Sequence, residues 1–440
     1  MVSADEAGAI RFREGVGFPS DLTLVRTAES DKVNYSSDTF GVPLSDAETA
    51  ELYRRLDVQW ATRHAMDYAN AQPEFAGGYI DQLAKGIPVF LFTANLDAHR
   101  VNIAKVLETP IEYRVEYAER SLTELLAQQA TIDSQWAVLK TTGLHIVESA
   151  ILIKENVVLV GIDGLTEGRR AEVQERFGTD LLLKESKPAH ADACVNGNNC
   201  RPIKGGLGIT AATGGECTSG FVVKRSGTGA LHLLTAGHCI HVNGGYDGVW
   251  RHYGNGFGRA REETWQPNYV RTADVGLTTI FSDDVALMTN KNYMHKGAGN
   301  VYSVVGQTTG SQQMVDMQAC RYGRNGGHTC GLINALYANR LSCVGTPPNT
   351  QCVTVTRTIR VDFDSVGGDS GGPVYYPTYN PYTGTVAIAL GTHVHSEYEI
   401  DDGYQDPPPW YGWYSPIDVG AAQFNSNWGY TYTLCTSAAC

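Results

Sequence analysis

All ten cysteines of this 440-residue chain lie between Cys194 and Cys440, and no cysteine precedes them. An even number of cysteines in close neighbouring positions, with no Cys-x-x-Cys spacing, indicates disulfides rather than a zinc site. Disulfides form in oxidising compartments, so we expect an extracellular, secreted protein. Nearest-neighbour pairing is the simplest of the possible connectivities, and it gives Cys194–Cys200, Cys217–Cys239, Cys320–Cys330, Cys343–Cys352 and Cys435–Cys440.

The charge of the chain is also uneven. Most of the formal net charge of −13 lies in residues 1–190. Binding to nucleic acid needs clustered Lys and Arg, so this balance argues against a nucleic-acid partner. The sequence has no run of about 18 apolar residues that would span a membrane. The first residues, MVSADEAGAIRFREGVGF, lack the apolar core of a signal peptide, so we expect an exported protein to start upstream of Met1.

Residues 1–190 have the pattern of an α+β region. Ser45 and Glu48 form a capping-box signature ahead of a helical pattern. Two stretches then repeat the order strand, turn, strand, helix, with the turns at residues 85–86 and 155–156. This duplicated ββα region has no cysteine and no evident catalytic cluster, so we interpret it as a folding or inhibitory partner of the rest of the chain.

Residues 191–440 have the pattern of an all-β domain. Short apolar runs such as SGFVVKRS, ALHLLTAG, VALM, TVTRTIRVDF, GPVYYP and TVAIALGTHV alternate with Gly, Asn and Pro turns. This spacing predicts antiparallel barrels or a sandwich. The segment before it, LLLKESKPAHADACVNGNNC, is predicted to be a linker that contains a cleavage site.

Two short motifs in the second half carry candidate catalytic side chains. VGGDSGGPVYY places Ser370 in a glycine-rich turn before an aromatic strand, and LLTAGHC places His238 after an apolar strand. A serine hydroxyl at its ordinary pKa is a poor nucleophile, so it needs a base and a third group that orients the base. The two motifs in one all-β region favour a nucleophilic serine with a histidine base.

The chain resembles the chymotrypsin-type serine proteases in the motifs TAGHC and GDSGGP. It is also similar to their secreted bacterial branch, the alpha-lytic protease and streptogrisin group, in the segments RPIKGGLGI, CTSGFVV and CRYGRNGGHTCG. FAGGYIDQ and VVLVGIDGLTEGRRAEVQERFG are similar to the proregions of that branch. The resemblance implies two packed six-stranded antiparallel β-barrels, of the trypsin-like type, with the active site between them. It also implies that residues 1–190 are a proregion that catalyses folding and inhibits the protease domain, residues 191–440.

The resemblance assigns roles to matching residues. Ser370 becomes the nucleophile and His238 the general base and acid. The amides of Gly368 and Ser370 become the oxyanion donors, because backbone N–H groups must face the developing negative charge. Asp369 becomes a buried structural acid that pairs with Arg321.

Two aspartates remain candidates for the third member of the triad. Each of them precedes an apolar run that is predicted to be a buried strand: Asp274 in ADVGLTTI and Asp284 in DDVALMTN. The interval from Asp284 to Arg321 is closer to that of the bacterial branch, so we predict Asp284.

The specificity pocket departs from the family pattern, because no cysteine lies between Cys352 and Cys435. Read without gaps, Asp364 takes the position that binds Arg or Lys in trypsin-like relatives. His393 instead takes the position of a histidine that helps glutamate-specific relatives bind an acidic side chain, and Ser396 is assigned to the same pocket. His393 and His395 alternate along one strand, but no acid-rich cluster accompanies them, so no metal is assigned.

The sequence therefore predicts a secreted serine endopeptidase, a hydrolase made as a proenzyme, which cleaves peptide bonds through a Ser-His-Asp triad and an acyl-enzyme. This chemistry needs no cofactor or metal. The expected partners are a peptide or protein substrate and the chain's own proregion. Two alternatives remain: a catalytically silent binding protein with a protease fold, and a secreted esterase that uses the same triad.

Overall fold

The computed structural model describes residues 4–37, 39–186, 189–190, 203–242, 247–267, 269–288, 291–295, 301–344, 350–380, 384–396 and 411–436. Its N-terminal region, residues 4–186, contains helices packed against two small sheets. The elements of this region are α1 (Ala4–Gly15), α2 (Leu22–Ser30), α3 (Asp46–Ala61), α4 (Arg63–Asn70), β1 (Phe75–Asp81), β2 (Ile87–Phe92), α5 (Leu96–Val106), β3 (Arg114–Tyr117), α6 (Leu122–Asp133), α7 (Trp136–Thr141), β4 (His145–Leu152), β5 (Val157–Asp163), α8 (Glu167–Phe177) and β6 (Leu181–Glu185).

The repeated sequence pattern forms two similar units. In each unit an antiparallel hairpin, β1–β2 or β4–β5, is followed by a helix and then by a strand parallel to the second hairpin strand. Gly86 and Asn156 take positive φ angles of 78° and 55°, which tight hairpin turns require. The sequence analysis missed the third strand of each unit, β3 and β6. The capping box is present, since the Ser45 side chain accepts a hydrogen bond from the Glu48 amide at the start of α3.

The C-terminal region, residues 203–436, is mostly β. Its elements, with the short strand that precedes it, are β7 (Ala189–His190), β8 (Gly208–Ala211), β9 (Glu216–Thr218), β10 (Val222–Arg225), β11 (Leu231–Thr235), α9 (Gly237–Val242), β12 (Val249–His252), β13 (Asn255–Glu263), β14 (Val270–Arg271), β15 (Gly276–Thr279), α10 (Ser282–Leu287), β16 (Tyr293–His295), β17 (Val301–Gln307), a 3₁₀ turn (Gly310–Gln312), β18 (Gln318–Gly323), β19 (Gly327–Val344), β20 (Gln351–Val361), β21 (Pro373–Asn380), β22 (Gly384–Ser396), β23 (Gly412–Pro416), α11 (Ile417–Trp428) and β24 (Tyr432–Leu434).

These strands form two packed sheets. The first has the order β24-β10-β11-β15-β13-β12-β8-β9. In the second, the neighbours β20-β23-β22-β21-β18-β19 are joined at their ends by a β19–β20 pairing, which closes a barrel. The architecture is the chymotrypsin-like two-barrel fold that the sequence predicts.

One predicted strand is instead a helix. VALM lies in and directly after α10, which begins at Ser282. Ala, Leu and Met favour helices, and two aspartates in the first turn interact favourably with the helix dipole. The short apolar run therefore forms a helical turn rather than a strand.

The N-terminal region extends the barrel of the C-terminal region. Strand β4 pairs with β19, with Asn339 opposite Ser149 and Arg340 opposite Glu148, so the β4-β5-β6 sheet continues the barrel sheet. One cluster of buried apolar side chains runs through both regions and includes Met66 and Val315. No helix of the described chain has the length and apolar character needed to cross a membrane.

Candidate active site

The side chain of His238 lies at the start of α9, directly after the buried strand β11. Its Nδ1 is 2.6 Å from Oδ2 of Asp274, and its backbone amide donates to Oδ1 of the same carboxylate at 2.9 Å. Both side chains are buried. Asp274 therefore fixes the orientation of the imidazole and favours the tautomer with a proton on Nδ1, which leaves Nε2 as the basic nitrogen.

Asp274 is held by two further features. Its amide donates to Oγ of Ser415 at 3.0 Å. Gly237 lies so close that a Cβ there would be 2.9 Å from Asp274 Oδ1, so the glycine before the histidine permits this approach. Burial opposes ionisation of Asp274, but His238, with a smaller contribution from His395, holds its pKa below the usual value. The carboxylate is therefore charged at neutral pH.

The choice of Asp284 as the orienting acid is corrected by this geometry. Asp284 is buried in the first turn of α10 rather than at the head of a strand. Asp274, the alternative aspartate, occupies the position against His238. The error follows from the reading of DDVALMTN as a strand.

The loop that carries Ser370 packs against the strand that leads to His238. Thr218 holds it from the side: its amide donates to the Ser370 carbonyl at 2.8 Å, and its hydroxyl donates to the Gly368 carbonyl at 2.6 Å. Gly371 has a φ of 91°, and a Cβ there would lie 2.2 Å from the Thr218 carbonyl oxygen. The glycine after the serine is thus required by both conformation and space.

Two polar atoms of this site are left available for chemistry. Ser370 Oγ and His238 Nε2 are both buried, and neither has a hydrogen-bond partner within the described part of the chain. Buried polar atoms are normally paired, so unpaired ones point to a place where a substrate or a proton transfer completes the arrangement. A serine oxygen and a basic imidazole nitrogen are the pair that nucleophilic catalysis needs.

The oxyanion donors proposed from sequence lie in the same loop. Gly368 has a φ of 98°. Across the described residues, the amides of Gly368 and Ser370 donate no hydrogen bond. Two free amides on either side of Asp369 can stabilise a negatively charged oxygen next to the serine.

The buried carboxylate of Asp369 holds this loop in place. Its Oδ2 is 2.8 Å from Nη1 of Arg321, and both side chains are buried. The same oxygen accepts from the Val366 amide at 2.9 Å, while Oδ1 accepts from the amides of Asn325 and Gly326 at 3.1 and 3.0 Å. The ion pair is thus satisfied by hydrogen bonds, which a buried charge requires.

A second histidine lies beside the His238–Asp274 pair. His395 Nε2 is 3.7 Å from Asp274 Oδ2, and its ring stacks near that of His238 with 5.8 Å between centroids. Its Nδ1 is 3.4 Å from Ser342 Oγ. Burial lowers the pKa of His395 to about 3, so it stays neutral at physiological pH. The sequence analysis considered His395 only as a metal ligand and missed this contact with the triad acid.

The two proposed specificity cues fare differently. The carboxylate of Asp364 accepts from Nη2 of Arg11 in α1 at 2.9 Å. Its backbone carbonyl accepts from Nε of Arg321 at 2.9 Å. Asp364 therefore pairs with the N-terminal region in this structure, and its role as an acid for Arg or Lys substrates stays a prediction.

His393 and Ser396 lie together, and both side chains are buried. His393 Nε2 is 3.5 Å from Ser396 Oγ, which also hydrogen-bonds the hydroxyl of Ser365. The edge of the Phe363 ring faces His393, with 5.7 Å between centroids. The Gly371 amide donates to the His393 carbonyl, and the His393 amide donates to the Gly372 carbonyl, so His393 adjoins the serine loop. No signal in the sequence pointed to Phe363 or Ser365.

Three of the proposed disulfides are present: Cys217–Cys239, Cys320–Cys330 and Cys343–Cys352. Cys435 is also disulfide-bonded. Its proposed partner Cys440 and the proposed pair Cys194–Cys200 lie outside the described residues. The Cys217–Cys239 bond joins β9 to the residue after His238 and so ties the base to the strand that holds the serine loop.

One group of side chains at this site could hold a metal ion. Its ligand atoms, from His238, Asp274 and His395, lie within 4.8 Å of one another. Asp274 Oδ2 already accepts the short hydrogen bond of His238, which a metal would displace. A second group contains Cys320 and Cys330, which are joined in a disulfide and offer no thiolate.

Comparison with known proteins finds a curated relative that is a bacterial serine protease. Serine protease 2 of Streptomyces fradiae is 33% identical over 124 residues, which are 24% of this chain and 59% of that protein. The chain resembles the secreted bacterial serine proteases of the chymotrypsin type. It spans about three fifths of the length of this curated relative. No protein-family model matches the chain.

Solved structures with a similar fold include three bacterial-type proteases. A glutamic acid-specific serine protease is 20% identical, and the match covers 52% of this chain and 100% of that one with a TM-score of 0.37. Protease A of Thermobifida fusca is 21% identical, with coverage of 53% and 98% and a TM-score of 0.36. Nocardiopsis protease is 22% identical, with coverage of 52% and 98% and a TM-score of 0.36.

Proposed function

We propose that the chain is a secreted serine endopeptidase made as a proenzyme. The observation that carries this proposal is the 2.6 Å contact between His238 Nδ1 and Asp274, with His238 Nε2 and Ser370 Oγ both left without a partner in the described residues. The similarity to a bacterial serine protease supports it. The disulfides support an oxidising, extracellular location.

In the proposed acylation step, Ser370 Oγ attacks the carbonyl carbon of the scissile peptide while its proton moves to His238 Nε2. The carbonyl oxygen becomes negative and accepts hydrogen bonds from the amides of Gly368 and Ser370. His238 then gives the proton to the leaving nitrogen, and the C–N bond breaks. Throughout this step the charged Asp274 stabilises the imidazolium and holds its ring in place.

In the proposed deacylation step the same residues act, and water replaces Ser370 as the nucleophile. A water molecule gives a proton to His238 Nε2 and attacks the ester carbonyl, and the same two amides stabilise the negative oxygen. His238 returns the proton to Ser370 as the acyl C–O bond breaks. Apart from the attacking water, the groups that act in this cycle are His238, Ser370, Asp274 and the two amides.

We further propose that residues 1–190 are a proregion that assists folding and blocks the cleft. Two observations support this role. Strand β4 extends the barrel sheet by pairing with β19. Strand β7, residues 189–190, pairs with both β19 and β22, with His190 opposite Cys343 and Ser396. The chain therefore lies as an added strand beside the proposed specificity pocket, as an extended peptide substrate would.

A fluorophosphonate probe and a peptide library together test the proposed activity. The processed protein should be labelled, whereas Ser370→Ala should not, and the labelled protein should cleave peptides. Absence of labelling in the processed parent would favour a catalytically silent binding protein. Labelling without peptide cleavage, together with hydrolysis of simple esters, would favour an esterase. Cleavage after Glu or after Arg would decide whether the His393 pocket binds acidic side chains.

A further inference from the structure

A row of three buried side chains leads to the carboxylate of Asp274. Trp265 follows β13 in the first sheet, Ser342 lies on β19, and His395 lies on β22. Nε1 of Trp265 is 3.2 Å from Ser342 Oγ, which in turn is 3.4 Å from Nδ1 of His395. Nε2 of His395 lies 3.7 Å from Asp274 Oδ2. Trp265, Ser342 and His395 are all fully buried and together form a hydrogen-bond relay that ends at Asp274.

The order of donors along this relay sets the tautomer of His395. The indole N–H of Trp265 can only donate, so Ser342 Oγ accepts from it. Within the described residues, the Ser342 hydroxyl then has His395 Nδ1 as its acceptor. Burial lowers the pKa of His395 to about 3, so the ring is neutral and carries one proton. Because Nδ1 accepts, that proton lies on Nε2.

The carboxylate at the other end of the ring favours the same tautomer. An unprotonated Nε2 would place its lone pair beside a negatively charged oxygen, whereas a protonated Nε2 offers that oxygen a donor. Nε2 has no hydrogen-bond partner in the part of the chain that the structure describes. Buried polar atoms are normally paired, so this one lacks a final adjustment that would pair it.

The adjustment that pairs His395 with Asp274 is small. An N–H···O hydrogen bond is about 2.9 Å long, so the 3.7 Å between Nε2 and Oδ2 has to shorten by about 0.8 Å. Catalytic hydrogen bonds are often long before substrate binds and shorten in the complex. The same oxygen already accepts from His238 Nδ1, so a donor from His395 acts directly on the carboxylate that orients the base.

The strand that lies in the cleft joins the two strands that carry the relay. β7 pairs with β19, where Ala189 lies opposite Ser342, and with β22, where His190 lies opposite Ser396. Among the described strands, β19 and β22 do not pair with each other directly. An extended substrate in the place of β7 would therefore hold Ser342 and His395 at a fixed separation.

We propose that His395 is a positioning residue of the triad: its Nε2–H, set by Ser342 and Trp265, donates to Asp274 Oδ2 and holds the carboxylate in place against His238. This inference rests on the proposed protease function and deepens it. His395 acts through Asp274 rather than on the substrate. With two N–H donors on one oxygen, Asp274 keeps its orientation while His238 Nε2 receives the proton of Ser370.

The tautomer of His395 is the first test. The full chain with Ser370→Ala, which stays intact, is prepared with isotope-labelled histidine and examined by nitrogen NMR at neutral pH. Protonated and unprotonated ring nitrogens have well-separated chemical shifts, and the His395 signals are those missing from His395→Gln. We expect a protonated Nε2 and an unprotonated Nδ1. A proton on Nδ1, or on both nitrogens, overturns the proposal.

The proton between His238 and Asp274 is the second readout in the same full chain. His395→Phe keeps an aromatic ring but removes the donor, whereas His395→Gln keeps an amide N–H of similar reach. The Phe variant should shift the His238 Nδ1 proton resonance, because Asp274 Oδ2 loses a neighbouring donor. His232→Phe is the control, since His232 is a buried histidine on β11 that contacts the Ala230 carbonyl. Equal resonances in the parent and His395→Phe overturn the proposal.

Kinetics of the processed protein show whether the contact affects the reaction. His395→Phe should lower kcat by about tenfold or more, as expected for one hydrogen bond to a charged group, with KM within about twofold of the parent. His395→Gln should recover most of that loss, and His232→Phe should keep kcat within about threefold. Thermal unfolding verifies that each variant is folded. Equal losses in His395→Phe and His395→Gln would assign the effect to packing and overturn the role of the donor.

The two kinds of measurement separate this proposal from the proposed function. If fluorophosphonate does not label the processed parent, the protease function fails, while the tautomer and the His238 resonance in the full chain still decide whether His395 donates to Asp274. If the parent is labelled and cleaves peptides but His395→Phe retains the full kcat, the protease function stands and the positioning role of His395 fails.

Discussion

Asp274 holds His238 through two hydrogen bonds, one to Nδ1 at 2.6 Å and one to the backbone amide at 2.9 Å, inside a fully buried part of the cleft. The carboxylate therefore controls both the rotation of the ring and the start of α9. Its second oxygen binds the main chain, so the imidazole and its backbone move together. This double contact makes Asp274 the residue on which the function of His238 most depends.

Asp274→Asn should lower kcat by about 10³–10⁴, because the amide cannot stabilise the imidazolium and favours the wrong tautomer of His238. Asp284→Asn is the matched control, since Asp284 is also a buried aspartate but lies in α10. It should change kcat by less than about tenfold. Fluorophosphonate labelling rates and peptide hydrolysis measure both. A larger loss in Asp284→Asn than in Asp274→Asn would contradict the assignment.

Arg321→Met should destabilise the protein by about 3–5 kcal/mol, because it leaves the buried carboxylate of Asp369 without its cation. The double variant Arg321→Met/Asp369→Asn should recover part of that loss. Thermal unfolding followed by circular dichroism measures the effect. Equal destabilisation in the single and double variants would show that the ion pair is not the cause.

The motifs around Ser370 and His238 could be predicted from sequence because each is a local signal. Glycines flank a serine that needs close backbone contacts, and an apolar strand ends at the histidine. Their supports could not be predicted in this way. Thr218, which holds the Ser370 loop, and Ser415, which holds Asp274, lie on strands far away in the chain. Nothing in their own neighbourhood distinguishes them from other hydroxyl residues.

The choice of Asp284 and the ion pair of Asp364 show two limits of the sequence analysis. The segment DDVALMTN has too few apolar residues for its pattern to distinguish a strand from a helical turn. Its residues favour the helix, and the structure has a helix there. Asp364 forms an ion pair with Arg11 of α1, a residue that the motif does not include. Long-range ion pairs of this kind depend on how the two regions pack.

His395 should make stability fall as the solution becomes acidic. Burial lowers its pKa in the folded state to about 3, below the ordinary histidine value of about 6.5. The folded state thus favours the neutral ring, so its contribution is fully present above pH 6.5 and is lost as the pH falls toward 3. Asp274, which raises the pKa, and His238, His393 and Arg340, which lower it, are the charged groups around this ring.

His395→Gln therefore should have a thermal midpoint that drops less than the parent's between pH 7 and pH 4. At pH 7 the variant should be less stable by about 1–2 kcal/mol, because it loses packing in the core. His64→Gln, at an exposed histidine beside Glu108, is the control and should not reduce the drop in thermal midpoint below that of the parent. Parallel curves for the parent and His395→Gln would contradict a buried neutral histidine.

Residues 194–440 alone should refold poorly, and residues 1–190 supplied in trans should increase the yield of active protein at least about tenfold. The physical reason is that β19 gains β4 as a further partner strand and that Arg340 and Arg360 gain Glu148. Glu148→Lys in the supplied proregion should abolish most of the rescue, since it places a fourth cation beside Arg340, Arg360 and Lys184. Glu175→Lys, at an exposed position of α8, is the control and should rescue as well as the parent. Activity recovered after dilution from denaturant measures the yield, and efficient refolding without residues 1–190 would contradict the proregion role.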